Sequence, residues 1–371
     1  MKILSLFSGI GSFERALEKL NVKYELIAYS EIDKYASKAY SLIHGVSESL
    51  NLGDITKIDE AKLPKDIDLI TYGFPCQDIS IAGKQKGFEN GGEKTRSGLF
   101  FDALRLINAT KPRIAIAENV KNLTGKRFKS EFECVLKSLE DAGYNNHWQV
   151  LNAKDYGIPQ NRERVFIVSI RKDIDTKNFE FPQPTELNKR LKDLLEDYVD
   201  KKYFLAEKKV RGYKDVAPTI LGRDYRKPRC VQVGTLDIRG HDIIKRVYSS
   251  EGLSPTLTTM QGGNSALKIV ASRGRHEIEN DQRVIKQQLE VNKKGLSNAL
   301  TTVQKDNYVL NESLRIRKLT PKECFRLMGF EDKDVDILIK NNISNTQLYK
   351  MAGNSIVVNV LVEIFKQLER M

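Results

Sequence analysis

Apolar residues follow two periods along the first 170 positions of this chain. Short continuous runs at 3–7, 25–29, 68–72, 113–117 and 165–170 read as buried strands. Between them Phe13, Ala16, Leu17 and Leu20 recur at helical spacing, and helices are predicted around 33–43, 97–109 and 130–142. Strand–helix alternation of this kind predicts a mostly parallel sheet with helices on both faces. After Phe181-Pro182-Gln183-Pro184 the pattern breaks into short β-prone pieces separated by Gly, Pro and Asn. Two of these, Gly252-Leu253-Ser254-Pro255-Thr256-Leu257-Thr258-Thr259 and Gly295-Leu296-Ser297-Asn298-Ala299-Leu300-Thr301-Thr302, repeat at a spacing of 43. Beyond Leu319-Thr320-Pro321 a helical pattern returns, with Pro321 suited to a first turn.

Charge sharpens this division. The chain of 371 residues carries a net charge of +12. Residues 201–310 hold 21 Lys and Arg against 11 Asp and Glu, so +10 of the total lies in the β-prone region. A concentration of that kind favours a polyanion, and specifically a nucleic-acid face. The four cysteines show no CxxC spacing, which suggests neither a disulfide framework nor a structural zinc site. With no run of eighteen apolar residues and no signal-peptide pattern at the start, a cytoplasmic protein with no membrane span is expected.

Three places carry candidate chemistry. Phe7-Ser8-Gly9-Ile10-Gly11 lies between the first strand and first helix, where glycines admit close approach of a ligand and a helix start offers N–H groups. Position 14 is Glu, so the full GxGxxG pattern is absent, and a smaller nucleoside cofactor fits better than a dinucleotide. Glu31 follows the second strand and suits a ribose diol; Asp54, after Gly53, could accept from an adenine amine, or either could simply cap a helix. Finally, Gly73-Phe74-Pro75-Cys76-Gln77 puts a cysteine just beyond a buried strand, where open α/β sheets place their chemistry. Alone, Cys76 reads equally as a small buried hydrophobe.

Six motifs in order give the chain a resemblance to bacterial and phage C5-cytosine DNA methyltransferases, of the kind found in type II restriction-modification. They are the 7–11 turn, the Cys76 loop, Glu118-Asn119-Val120, Gln160-Asn161-Arg162-Glu163-Arg164, Arg317-Lys318-Leu319-Thr320-Pro321-Lys322-Glu323-Cys324, and Gly353-Asn354-Ser355. The resemblance implies that the Cys76 thiolate adds to cytosine C6, that Glu118 serves N3, that Arg164 bonds O2 and that Arg162 supports the site. Burial behind Ile114-Ala115-Ile116-Ala117 would raise the Glu118 pKa for that role, and the spacing of Arg162 and Arg164 places both on one face of an extended segment. It further implies S-adenosylmethionine as cofactor, touched by Phe7, Gly9, Gly11, Glu31, Asp54, Ile55, Pro75, Asn354 and Ser355, the last two beginning a carboxy-terminal helix.

By the same resemblance the partner is double-stranded DNA, from which the target base must be flipped. Gln77, Lys84, Gln85, Arg246, Thr256 and Gly262 are the candidate DNA contacts. Ala82 stands where some relatives carry serine, and the residues at 89–94 lengthen the loop. The implied architecture is the mixed, mostly parallel Rossmann-like sheet of S-adenosylmethionine-dependent methyltransferases. Residues 1–181, completed by 316–371, form its catalytic domain, and 182–315 a smaller β-rich target-recognition domain. A monomer without metal is expected, and the type leaves room for a paired restriction endonuclease. The alternative is a transfer-RNA cytosine-5 methyltransferase of the same fold. A nicotinamide-dependent oxidoreductase is disfavoured by the missing third glycine, and a non-catalytic binding module by the full set of catalytic residues.

Overall fold

In the computed structural model residues 1–75, 98–203 and 319–369 are described in full, with the backbone alone of 96–97 and of several short strands between 89 and 317. The chain divides into two compact units. The first comprises Met1–Asn152, Glu163–Pro184 and Ser355–Met371, and the second Ala153–Arg162 and Thr185–Asn354.

The first unit is built on six strands: β1 (Lys2–Leu6), β2 (Glu25–Ser30), β3 (Leu69–Tyr72), β4 (Ile114–Val120), β5 (Tyr144–Asn152) and β6 (Glu163–Arg171). Their spatial order is β2-β1-β3-β4-β6-β5. The pairings among β2, β1, β3 and β4 are parallel, whereas β6 runs antiparallel to both β4 and β5. Alternate side chains explain the continuous apolar runs of the central strands. Leu4, Leu6, Ile70, Tyr72, Ala115, Ala117, Val165 and Ile167 join one core cluster with residues of α3 (Phe100–Thr110) and α4 (Lys129–Asp141). The intervening Ile3, Ser5, Thr71, Ile116, Phe166 and Val168 are buried as well, so both faces are covered. Ser5 and Thr71 sit opposite each other in register, and the Thr71 hydroxyl donates to Ser5 Oγ at 3.2 Å.

α1 (Ser12–Lys19) turns Phe13, Ala16 and Leu17 inward and packs on α8 (Val358–Leu368), with Phe13 edge-on to Phe365 at 6.4 Å. α2 (Lys34–His44) is capped by Asp33, which accepts from the Tyr35 and Ala36 amides, and stops at Gly45 with φ of 65°.

β5 is the element that periodicity missed. Tyr-Asn-Asn-His-Trp-Gln is polar, and as an edge strand paired only to β6 it leaves Trp148 45% exposed, against the edge of the Phe132 ring.

In the second unit α5 (Pro321–Leu327) opens on a capping box in which Thr320 and Glu323 satisfy each other's amides. α6 (Asp332–Lys340) and α7 (Asn345–Asn354) follow. The same unit holds a hairpin of β7 (Ala271–Glu279) and β8 (Gln282–Glu290). The segment Asn345–Leu368 is long and apolar enough to cross a membrane by composition, but it is broken at 355–357 and mostly buried. Gly353-Asn354 therefore closes α7, whereas the sequence predicted the start of the last helix there; α8 begins only at Val358.

Candidate active site

The turn after β1 is held open by backbone conformation. Phe7, Gly9 and Gly11 all adopt positive φ, of 51°, 57° and 79°. Such alternation bends the chain sharply, and glycine supplies it at two of the three positions without steric cost. The Ser8 amide donates to the Ser30 carbonyl at the end of β2 (3.1 Å), and the Gly9 amide donates to Glu31 Oε2 (2.9 Å). Glu31 also accepts from the Asp33 amide through Oε1 at 2.7 Å. Burial pushes its carboxyl upward, and these two N–H groups oppose the shift. A Cβ on Gly9 would meet nothing within 4 Å, so the turn borders open space there. A Cβ on Gly11 would fall 2.1 Å from His44 Nε2.

Asn51, which sequence reasoning overlooked, ties this turn to the next. Its Nδ2 donates to the Glu31 carbonyl and to Ser37 Oγ, both at 2.9 Å, while Oδ1 accepts from the amides of Glu31 (3.0 Å) and Gly53 (2.9 Å). A side-chain amide with every site used is a rigid clip. Beyond it Asp54 caps a short 3₁₀ turn, its Oδ1 accepting from both the amide and the hydroxyl of Thr56. Those bonds hold the Asp54 carboxyl below its ordinary value. Ile55 is buried. Arg105 on α3 secures the same turn by donating to the carbonyls of Ile55 (3.0 Å) and Ile58 (2.8 Å). Ile32, 78% exposed beside Glu31, is an apolar surface that the sequence reading did not single out. Its signal was available: an isoleucine between two acids, Glu31 and Asp33, directly after a strand.

The third group lies at the carboxyl ends of β3 and β4. Gly73 comes so close to Glu118 that a Cβ would stand 3.6 Å from Glu118 Oε2. Phe74 is buried against Tyr72 and Phe100, and Asn119 Nδ2 donates to the Phe74 carbonyl at 3.1 Å. Phe74 is thus anchored through both its ring and its carbonyl, the latter in the peptide leading to Pro75. Cys76 itself, with Gln77, Lys84, Gln85, Arg246, Thr256 and Gly262, lies outside the described residues.

Glu118 and Arg164 meet across the antiparallel β4–β6 pair. Arg164 is opposite Val120, two residues from Glu118, so the two side chains share a face. Arg164 Nε stands 2.9 Å from Glu118 Oε1, with the side chains 15% and 12% exposed. Arg164 Nη1 also donates to the Glu163 carbonyl at 2.8 Å. The guanidinium favours the ionised carboxylate, opposing the effect of burial anticipated from the sequence.

Arg162 is placed differently. The extended run is interrupted at this residue, between the two-residue strand Gln160–Asn161 and β6, so the arginines do not share one continuous strand face. At the break Arg162 N donates to the Gln160 carbonyl (3.1 Å), closing a tight turn, while the Arg162 carbonyl accepts from Ala153 N (3.1 Å). Arg162 is buried in the second unit, where Nη2 donates to the Gly353 carbonyl at 3.2 Å. Asn354, exposed at the end of α7, belongs to that unit too. Buried Ser355 opens the closing piece of the first unit, and the next amide, of Ile356, donates to Ser12 Oγ at 3.2 Å. The far end of the chain is thereby tied to the start of α1.

Among the described residues no group of His, Cys, Asp and Glu is arranged to hold a metal ion. The glycine turn does fit a nucleoside cofactor. Ser8 Oγ is buried there without a hydrogen-bond partner, Gly9 borders open space, and a carboxylate and an exposed apolar side chain stand side by side at 31 and 32.

Comparison with known proteins adds to this geometry. Residues 1–370 match the family described as C-5 cytosine-specific DNA methylase. The orphan methyltransferase M.SPBetaI of Bacillus phage SPbeta is 37% identical over 99% of this chain and 97% of its own length. The type II methyltransferase M.HhaI of Haemophilus parahaemolyticus is 34% identical, over 97% and 92%. Among solved structures, the Entamoeba histolytica methyltransferase EhMeth aligns with a TM-score of 0.62 at 18% identity, covering 100% of this chain and 98% of that one. The S. pombe Dnmt2 methyltransferase aligns with a TM-score of 0.56 at 20% identity, covering 100% and 99%. At those identities the structures speak for the fold.

Proposed function

This chain belongs to the C-5 cytosine-specific DNA methylase family and is a DNA (cytosine-5)-methyltransferase, and from that premise we propose that it acts on a cytosine flipped out of a specific DNA sequence, through a covalent bond from Cys76. The observation that carries the reading is the Glu118–Arg164 pair, 2.9 Å apart, with Glu118 beside the glycine that opens the Cys76 loop.

C5 of cytosine is a poor nucleophile. The Cys76 thiolate adds to C6, and electron density moves towards N3, where Glu118, protonated from solvent as Arg164 turns from it to the base, donates a proton. Arg164 exchanges part of its bond to Glu118 for cytosine O2, stabilising the charge that gathers on the ring. C5, now enamine-like, takes the methyl group. Water then takes the C5 proton, the electron pair restores the C5–C6 double bond and expels the Cys76 thiolate, and the N3 proton returns to Glu118, so that a methyl group has replaced one hydrogen. S-adenosylmethionine supplies that methyl group when bound. Glu31 would hold its ribose diol, Ile32 and Ile55 its base, Asp54 the exocyclic amine, and the 7–11 turn with Pro75 and Ser355 the remainder. The roles given to Arg162 and Asn354 rest on the family resemblance.

Residues 182–315 serve as the target-recognition region in this reading, with Gln77, Lys84, Gln85, Arg246, Thr256 and Gly262 meeting DNA. The enzyme works as a monomer in the cytoplasm, alone or beside a restriction endonuclease. DNA is preferred over transfer RNA because the family that residues 1–370 match is described as a C-5 cytosine-specific DNA methylase.

Labelled S-adenosylmethionine offered with duplex DNA or transfer RNA tests the substrate. Label is expected in DNA, and label in RNA alone would sink the reading. Cys76→Ser is expected to abolish methylation while DNA binding persists; near-normal turnover would defeat the covalent route. Expression in a host without cytosine methylation, followed by sequencing of modified sites, would give the recognised sequence.

A further inference from the structure

His44 is the last residue of α2, with a side chain only 1% exposed, and the reaction as proposed gives it no part. Its ring lies against the glycine turn. Nε2 is 3.1 Å from the Ile10 carbonyl, and the place a Cβ of Gly11 would occupy is taken by the ring itself. The other nitrogen, Nδ1, is 2.7 Å from Glu18 Oε1.

A carbonyl only accepts, so Nε2 must carry a hydrogen. Glu18 is held as a carboxylate without help from the ring, by a guanidinium and a hydroxyl that also reach it. Arg15 Nη1 stands 2.7 Å from Glu18 Oε2, and the Tyr24 hydroxyl donates to Oε1 at 3.0 Å. Oε1 is therefore an acceptor too, and Nδ1 must also carry a hydrogen. An imidazole with both nitrogens protonated is a cation. The end of α2, where helix carbonyls gather negative potential, suits one.

We infer that His44, as an imidazolium bridging Glu18 and the Ile10 carbonyl, is a positioning residue that holds the 9–11 turn in its cofactor-binding shape. The inference rests on the reading of that turn as the S-adenosylmethionine site. The groups facing the ring are Glu14, Glu18 and Arg15 from α1, Tyr40 from α2 with its ring centroid 4.8 Å away, and Tyr24 before β2 through its bond to Glu18. Burial pushes the Glu14 carboxyl up and His44 draws it down, so the imidazolium also tempers a buried acid beneath the turn. Loss of either ring proton leaves a nitrogen lone pair facing an oxygen, and one of the two bonds is gone. The turn then loses its hold on Ile10 or the ring loses its anchor on α1.

Nitrogen NMR of the imidazole in the cofactor-free protein reads the protonation directly, and calorimetric titration with S-adenosylmethionine between about pH 6 and about pH 10 reads its consequence. Both ring nitrogens are expected to be protonated at neutral pH, and the wild-type Kd to rise about tenfold over the pH interval in which NMR shows a ring proton lost. His44→Gln, which keeps one donor and no charge, is expected to bind about tenfold more weakly at pH 7, with no pH dependence of this origin and with kcat at saturating cofactor near wild type. A neutral ring at pH 7 overturns the imidazolium. A wild-type Kd that ignores the loss of the ring proton overturns the positioning role, whether or not the variant folds. Absence of S-adenosylmethionine binding by the wild type at every pH sinks the cofactor reading and this role with it, and the NMR signal distinguishes that from an error in the proton count.

Discussion

At the scale of single residues, Gly9 and Gly11 look alike in sequence but answer to different constraints. Both have positive φ, so an alanine at either pays the left-handed backbone penalty of about 1–2 kcal/mol. Only Gly11 is crowded, with His44 Nε2 2.1 Å from the missing Cβ. Gly9→Ala is therefore expected to destabilise by the backbone term alone, and Gly11→Ala by clearly more, as measured by urea unfolding with the m value as a check on the unfolded state. Equal losses would show that His44 yields at no cost. The requirement for glycine at position 11 was legible in the sequence, but its cause was not, because His44 is 33 residues away and reaches the turn only when α2 folds back on α1. Asn51 was illegible for a similar reason: of the four groups it bonds, three lie on Glu31 and Ser37, 20 and 14 residues earlier in the chain.

Elements were legible where burial is continuous. β1, β3, β4 and β6 are apolar runs because both faces of the sheet are covered, and α2 announces its ends with Asp33 and Gly45. β5 was not, because an edge strand with one partner need not be apolar. The junction of α5 and α6 carries a prediction of its own. Arg326 grips Asp332 with two bonds of 2.7 Å, and that guanidinium, opposed by burial, holds the Asp332 carboxyl below its ordinary value. The folded value is depressed, so the stabilisation is complete above the unfolded carboxylate value of about 3.9 and is lost as pH falls through the lower folded one. With the pair partly exposed, Asp332→Asn should cost at most about 1 kcal/mol at pH 7. The difference from wild type should shrink as pH falls through the folded value and vanish below it, and thermal melts across pH would detect a loss that persisted there.

At the scale of the whole molecule, the charge of +10 within residues 201–310 predicts binding governed by phosphate neutralisation. If about six phosphates are engaged, DNA affinity should fall about a thousandfold between about 50 and about 200 mM salt, as fluorescence anisotropy would read; a flat response would remove the polyanion from the argument. Charge placement, strand runs and six ordered motifs are properties of the chain itself, and they determined the family, the reaction class and the candidate residues Cys76, Glu118 and Arg164 before any coordinates. Tertiary structure decided how Glu118 and Arg164 are held. It reversed β6 in the sheet, so that Arg164 reaches Glu118 across an antiparallel pair, and it broke the strand at Arg162. It also brought His44 beneath the turn and made Asn51 a clip. Motifs record local residue types, which covalent order preserves; hydrogen bonds and ion pairs between distant segments depend on distances that exist only after the sheet and its helices have packed.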